Sequence, residues 1–192
     1  MWRTQVAQTN TVARSLHDIG LASWFGGSLM GATGLNGAAS EVDDPRQRAR
    51  VANAGWDRWT PINLGSIAAH VAGGAMLIAA NRGRLVSQRG VAGQSVAKSA
   101  LTGVALGATA YARVLGRKVK ENGDVPVEGG TSPSETTPPE VANAQKQLST
   151  LQWAIPALTG ALLIHNAYMG ELQRPQAVAS GLLGRLTGRD GN

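Results

Sequence analysis

Residues 147–170 read QLSTLQWAIPALTGALLIHNAYMG, a run of 24 residues without a charged side chain. Two similar runs precede it, 22 residues between Asp18 and Glu41 and 23 residues between Arg58 and Arg82. An α-helix rises about 1.5 Å per residue, so each run is long enough to cross a hydrocarbon layer of ~30 Å. A soluble amphipathic helix would carry a charge every turn or two on its wet face. The three runs therefore predict membrane-spanning helices.

A fourth segment is shorter, because Ser99 to Ala112 is uncharged for only 14 residues and Lys98 and Arg113 flank it. Long basic side chains extend to the lipid headgroups, so this segment also has the length to span. The alternative is a buried bundle helix of ordinary length. The preferred prediction is an all-α integral membrane bundle of four transmembrane helices, with spans at residues 19–38, 61–81, 94–116 and 150–170.

The composition agrees with one membrane domain. The chain has 192 residues, of which 16% are charged, and it has no cysteine. The absence of cysteine excludes a disulfide framework and a thiolate metal site. Eighteen basic residues give a formal net charge of +6, but they are scattered along the chain instead of forming the stripe that nucleic-acid binding needs. The Arg-, Ala- and Gly-rich composition points to a bacterial protein, and hence to a multi-pass protein of the bacterial cytoplasmic (inner) membrane.

Aromatic residues stand near the ends of the runs, as in the interfacial belts of membrane proteins. They are Trp56, Trp59, Tyr111, Trp153 and Tyr168. The alternative is that these are ordinary, partly buried aromatic side chains.

The connecting segments differ in character. Residues 121–143 include Gly129-Gly130 and a Pro-, Ser-, Thr- and Glu-rich stretch, which predicts a mobile loop. Asp43-Asp44-Pro45 predicts a turn or a helix start. Residues 176–189 suggest a short interfacial helix or a frayed end.

The head of the first run carries His17 and Asp18, interpreted as a helix cap and interface pair. A cleaved signal peptide is not expected there. Asp18 stands where a signal peptide would carry its positively charged N-terminal region. The run also contains five glycines from Gly20 to Gly34, which are unfavourable in the apolar region of a signal peptide.

The positive-inside rule gives a tie for orientation, since four spans place nine Lys and Arg residues on each side. The second connection is short and purely basic, which favours both termini in the cytoplasm. A basic cluster argues the other way, and it consists of Arg113, Arg117, Lys118 and Lys120.

Small residues recur at spacings of three and four in two spans, which lets helix backbones approach closely in lipid. The predicted packing positions are Gly20, Ser23, Gly27, Gly31 and Gly34 in the first span and Ser99, Gly103 and Gly107 in the third. The pattern leaves open whether the contact is within the chain, between copies or with another protein.

Two histidines lie inside spans, His70 in the second and His165 in the fourth. Ionisable groups inside a membrane are candidates for function, here as haem or quinone ligands or in proton transfer. In parallel spans their depths differ by six residues, or about 9 Å, which argues against a shared iron. The alternative is structural, with Asn63, Ser66 and Asn166 as hydrogen-bond partners.

No catalytic or metal-binding motif is present: there is no Gly-x-Ser-x-Gly, no Walker loop, no His-Glu-x-x-His and no acid inside a predicted span. The leading prediction is therefore a non-catalytic accessory or structural subunit of a bacterial membrane complex. Its partners would be lipid and other membrane subunits or a second copy, not nucleic acid. The first alternative is a haem- or quinone-binding redox module, and the second is a small channel or carrier.

Overall fold

The long elements of the protein are helices. The computed structural model describes residues 10–80 and 89–172. Helix α1 comprises Thr11–Met30 and continues through a π-helical segment, Gly31–Leu35, into the short helix α2, Asn36–Ser40. The other three are α3 at Pro45–Ala80, α4 at Arg89–Glu121 and α5 at Pro139–Leu172. The predicted all-α class is confirmed.

The four long helices pack side by side as an up-and-down bundle. Helix α1 packs along α3 and α5, and α4 packs mainly along α5. One end of the bundle, here called the open end, holds the start of α1 and the end of α5. The opposite cap end holds α2, the start of α3, and an antiparallel hairpin of β1 (Val127–Gly129) and β2 (Ser132–Pro133).

Two separate apolar clusters form the core. The middle cluster joins three helices and consists of Leu21, Trp24, Ala105 and Leu162, all fully buried. The cap-end cluster consists of Ala49, Leu115, Val119, Val127, Val141 and Ala144. The hairpin thus contributes Val127 to the core and is part of the folded body.

Helix α3 begins at Pro45, where the sequence predicts a turn or helix start. Pro45 supplies a backbone already fixed for the first helical position. The Asp44 carboxylate accepts hydrogen bonds from the N–H of Arg46 (3.0 Å) and from Nε2 of Gln47 (3.1 Å). These two hydrogen bonds lower the pKa of the Asp44 carboxyl below its ordinary value. The helix then continues through Pro61, well beyond the predicted span on its N-terminal side.

The segment predicted to be a mobile loop, residues 121–143, has a definite fold in the structure. Val127 is fully buried, and the Thr137 hydroxyl donates to the carbonyl of Pro126 over 2.6 Å. Gln145 Nε2 donates to the carbonyl of Gly129 over 3.0 Å. The composition argument overlooked the valines within this polar stretch, which dock the hairpin on the cap-end cluster. The possible interfacial helix at residues 176–189 lies outside the described residues.

Two of the described helices are long and apolar enough to cross a membrane, Pro45–Ala80 and Pro139–Gly170. They contain the predicted spans at residues 61–81 and 150–170, apart from residue 81. The predicted spans at residues 19–38 and 94–116 lie within α1–α2 and α4, which are not among these two helices, so the four-span bundle stays a prediction.

Candidate functional site

Two glycines let α1 and α3 cross with their backbones in contact near the open end. A Cβ atom on Gly20 would lie 2.4 Å from the carbonyl oxygen of Ser66, and one on Gly73 would lie 2.5 Å from that of Ala13. Backbone atoms cannot move aside as the end of a side chain does, so both positions require glycine. The close crossing brings His17 and His70 together.

His17 and His70 form a buried pair. They are 3% and 2% exposed, and their ring centroids lie 4.3 Å apart at an interplanar angle of 43°. Nδ1 of His70 lies 3.0 Å from the backbone carbonyl of His17, to which it donates as N–H. The sequence interpretation of His17 as a helix cap is wrong, because α1 begins six residues earlier, at Thr11.

Lys98 and Asp18 complete a hydrogen-bonded row through His17. Lys98 Nζ lies 2.7 Å from His17 Nε2, and His17 Nδ1 lies 2.8 Å from Asp18 Oδ1. Asn166 Nδ2 lies 3.5 Å from His17 Nδ1, which brings α5 to the same place. The polar cluster, defined as His17, Asp18, His70, Lys98 and Asn166, therefore takes residues from all four long helices.

The two histidines singled out by the sequence have different partners. His70 contacts His17, whereas His165 Nε2 lies 3.0 Å from Gln94 Oε1 on α4. Nδ1 of His165 is buried without a hydrogen-bond partner among the described residues. Sequence reasoning missed Lys98 and His17 as site residues because both were treated as flanks of the predicted spans.

The donor set does not favour a metal at the polar cluster. Both ring nitrogens of His17 contact protein atoms, and Nδ1 of His70 is directed to a backbone carbonyl. Within residues 10–80 and 89–172, no group of three or more His, Cys, Asp or Glu side chains is arranged to hold a metal ion. Binding of haem or quinone by His70 and His165 stays a prediction.

The predicted packing residues of α1 mostly face α3. Ser66 Oγ donates to Ser23 Oγ over 3.0 Å. A Cβ on Gly27 would fall 1.8 Å from the ring of Trp59, and one on Gly31 would fall 2.1 Å from that of Trp56. These two tryptophans therefore pack against α1, while Trp153 and Tyr168 are more than half exposed.

Gly34 is the exception among the α1 positions. A Cβ there would meet only Met30 of its own helix, at 3.4 Å. Gly34 lies in the π-helical segment, whose wider turn changes the direction in which Gly34 faces relative to the preceding positions of α1.

The predicted packing residues of α4 point away from the bundle. Ser99, Gly103 and Gly107 are exposed, and a Cβ on either glycine would meet no atom within 4 Å. Exposed valines adjoin them, with Val96 at 69% and Val104 at 58% exposure. These five residues define the outer α4 face, which the described part of the chain leaves uncovered.

A second polar network lies at the cap end. Trp56 Nε1 donates to Asn36 Oδ1 over 3.0 Å, and Asn36 Nδ2 donates to Gln152 Oε1 over 2.9 Å. The Asp57 carboxylate binds Arg113 at 2.7 Å and Lys120 at 2.6 Å, which ties α3 to α4. The middle apolar cluster separates this network from the polar cluster at the open end.

Comparison of the chain with protein-family models, with curated proteins and with solved structures finds no match.

Proposed function

We propose that the protein is a four-span integral membrane protein that acts as a non-catalytic subunit, docking through the outer α4 face. The first support is the exposure of the apolar helices. In the most apolar windows of Pro45–Ala80 and Pro139–Gly170, only 11% and 22% of the residues are buried inside the protein. The core helix of a soluble protein would be mostly buried, so these surfaces suit lipid.

The position of Lys98 supports a span in α4. Residues 90–112 contain one charged side chain, Lys98, and its amine binds His17 instead of pointing outward. The outward surface of this 23-residue segment is therefore uncharged, over a length of roughly 34 Å. That length matches the hydrocarbon layer of a bilayer.

Helix α1 suits a span in the same way. Its residues from Ile19 onward carry no charge up to Glu41, and Ile19 and Met30 are 69% and 56% exposed. Its other side buries Leu21 and Trp24 in the middle cluster. A helix with apolar side chains on both sides belongs in an apolar medium.

The outer α4 face is the observation that carries the docking role. Helices associate in lipid by close backbone approach at small residues, not by a hydrophobic driving force. Gly103 and Gly107 present such a surface one turn apart, with no intramolecular partner helix among the described residues. The occupant would be a helix of another membrane subunit or of a second copy. The start of α1 and the end of α5 both lie at the open end of the bundle. We place this end on the cytoplasmic side of the bacterial membrane.

The test is co-purification from native membranes in mild detergent, read by mass spectrometry. We expect stoichiometric membrane subunits, or a second copy, with the wild-type protein, and their loss from the Gly103→Leu and Gly107→Leu variants. Gly65→Leu is the matched control, because a Cβ on Gly65 of α3 also meets nothing within 4 Å. A protein that purifies alone, or equal recovery of partners with Gly103→Leu, would overturn the proposal.

A redox role through His70 and His165 is the second candidate, although both ring nitrogens of His17 and Nδ1 of His70 already contact protein atoms at the polar cluster. It predicts a visible absorption band in the purified protein that the His70→Ala variant lacks. A channel or carrier has less support, because the apolar layer of Leu21, Trp24, Ala105 and Leu162 interrupts the polar groups between the two ends.

A further inference from the structure

The row of hydrogen bonds from Asp18 to Lys98 connects the surface of the bundle with its interior. The Asp18 side chain is 62% exposed, whereas that of His17 is 4% exposed. Lys98 Nζ lies on the far side of the His17 ring, 2.7 Å from Nε2. Two hydrogen bonds thus join a carboxylate at the surface to an amine that solvent reaches only partly.

The chemistry of the three groups fixes the direction of both hydrogen bonds. A lysine ammonium has N–H donors only, so His17 Nε2 accepts from Lys98. A neutral imidazole that accepts at Nε2 carries its hydrogen on Nδ1, and this N–H donates to Asp18 Oδ1 over 2.8 Å. Both donors therefore point the same way, from the amine toward the carboxylate, which is the arrangement that concerted transfer of both protons along the row requires.

We propose that Lys98, His17 and Asp18 form a proton relay through which the Lys98 amine exchanges protons with water at the open end. In the transfer, the Lys98 ammonium gives a proton to His17 Nε2 while His17 Nδ1 gives its hydrogen to Asp18. The products are a neutral amine, a neutral imidazole protonated on Nε2, and a carboxylic acid that passes its proton to water. The reverse transfer restores the starting state. The transfer between the three side chains creates no imidazolium, which would be costly to bury.

The groups around His17 hold it in position for this role. His70 on α3 donates to the His17 carbonyl and lies against its ring. Arg14 on α1 is the other charged residue near enough to act on His17 electrostatically. His70 is a positioning residue here, since its ring nitrogen binds the backbone of His17 and takes no part in the transfer.

The relay serves one side of the bundle only. On the cap-end side of Lys98, the interior of the bundle is filled by the middle cluster of fully buried residues, Leu21, Trp24, Ala105 and Leu162. The relay therefore supplies proton exchange between the open end and an internal amine, without conduction to the cap end. This role goes beyond docking through the outer α4 face and does not depend on it.

The experiment is nuclear magnetic resonance of the full-length protein in lipid nanodiscs, with ¹⁵N-labelled histidine. The chain contains three histidines, so His165→Gln and His70→Gln variants assign the signals. We expect the wild-type His17 ring to carry its hydrogen on Nδ1. We also expect Asp18→Asn to slow solvent exchange of that hydrogen by about 10²-fold, the scale of a positioned proton-transfer group.

Two controls separate the relay from a merely structural contact. Asp43→Asn changes an exposed acid at the cap end and should leave the exchange rate of His17 unaltered. The exchange rate of the His70 ring should be the same in Asp18→Asn and wild type. A wild-type His17 ring with its hydrogen on Nε2, or equal exchange rates with and without the Asp18 carboxylate, would overturn the relay. The first of these needs no variant, so the proposal stays testable even if Asp18→Asn fails to fold.

Discussion

The Lys98 amine lies 2.7 Å from Nε2 of His17, a residue 81 positions earlier in the chain. This contact joins α4 to α1 and places the only charge between residues 90 and 112 inside the bundle. The Lys98 amine is thereby paired with an acceptor. The same contact therefore bears on stability, topology and proton exchange.

Replacing Lys98 should destabilise the bundle. Lys98→Met leaves His17 Nε2 without its donor and removes the positive charge near Asp18, which should cost about 1–3 kcal/mol of the free energy of unfolding. Lys118→Met is the matched control, since Lys118 binds Glu140 with both side chains about half exposed, at 46% and 59%. Such a surface pair contributes about 0–1 kcal/mol. Thermal unfolding in detergent, followed by circular dichroism, measures both, and equal stability of the two variants would contradict the prediction.

Gly73→Ala should separate α1 from α3. Its Cβ would lie 2.5 Å from both the carbonyl of Ala13 and the backbone nitrogen of His17, so the helices must move apart. We expect a loss of about 1–3 kcal/mol, the scale of overpacking a close contact. Gly65→Ala has open space and should be neutral or stabilising by up to about 1 kcal/mol, from helix propensity. Denaturant unfolding compares the two, and a neutral Gly73→Ala would refute the close crossing.

The stability that Asp44 contributes at the start of α3 should depend on pH. The pKa of this carboxyl is lowered in the folded protein by its hydrogen bonds with Arg46 and Gln47. Its contribution to stability is therefore complete above the unfolded pKa, near 4, and is lost as the pH falls through the lower folded value. Asp44→Asn keeps an acceptor oxygen without the titration, so its melting temperature should depend less on pH below about 4. A pH profile identical to that of the wild type would contradict this.

Single cysteines test the four-span topology, because the native chain has none. Glu41→Cys and Glu135→Cys should react with a membrane-impermeant thiol reagent from the same side, and Thr11→Cys from the other. The reason is that α1 crosses once between Thr11 and Glu41, and that α3 and α4 together return to the cap end. If Thr11→Cys and Glu41→Cys were labelled from the same side, a span in α1 would be excluded. Glu41 and Glu135 on opposite sides would exclude one in α3 or α4.

The sequence predicted the helices better than their contacts. Uncharged runs indicate where a helix can lie in lipid, because the free energy of transferring a residue from water to lipid depends mainly on that residue itself. Contacts between helices depend on rotation about each axis, and charge counts carry no such information. The packing role of Ser99, Gly103 and Gly107 stays a prediction, and their exposure could not be read from the sequence, because it depends on Ala105 and Leu115 being on the opposite, buried face.

A signal for His17 was nevertheless present in the sequence. His17, Gly20, Leu21, Trp24 and Ser28 follow one another at spacings of one, three and four residues, and all are buried. That spacing defines one helix face, so His17 extends the face that Leu21 and Trp24 place in the core. Treating it as a flanking residue of an uncharged run discarded this information. The partner Lys98 has no such signal, because its inward direction depends on the packing of α4.

The order of the paired residues along the chain has a consequence for biogenesis. A lysine in an inserting helix is costly when it meets lipid alone, by about 2.5–3.5 kcal/mol at the helix centre and by less toward its ends. In the proposed topology, His17 belongs to α1, which is synthesised before α4, so its acceptor nitrogen would already be in the bilayer when the segment carrying Lys98 leaves the ribosome. Helix α1 would then serve as an intramolecular insertion chaperone for α4, and the nascent chain would acquire its topology in the order in which these helices are made.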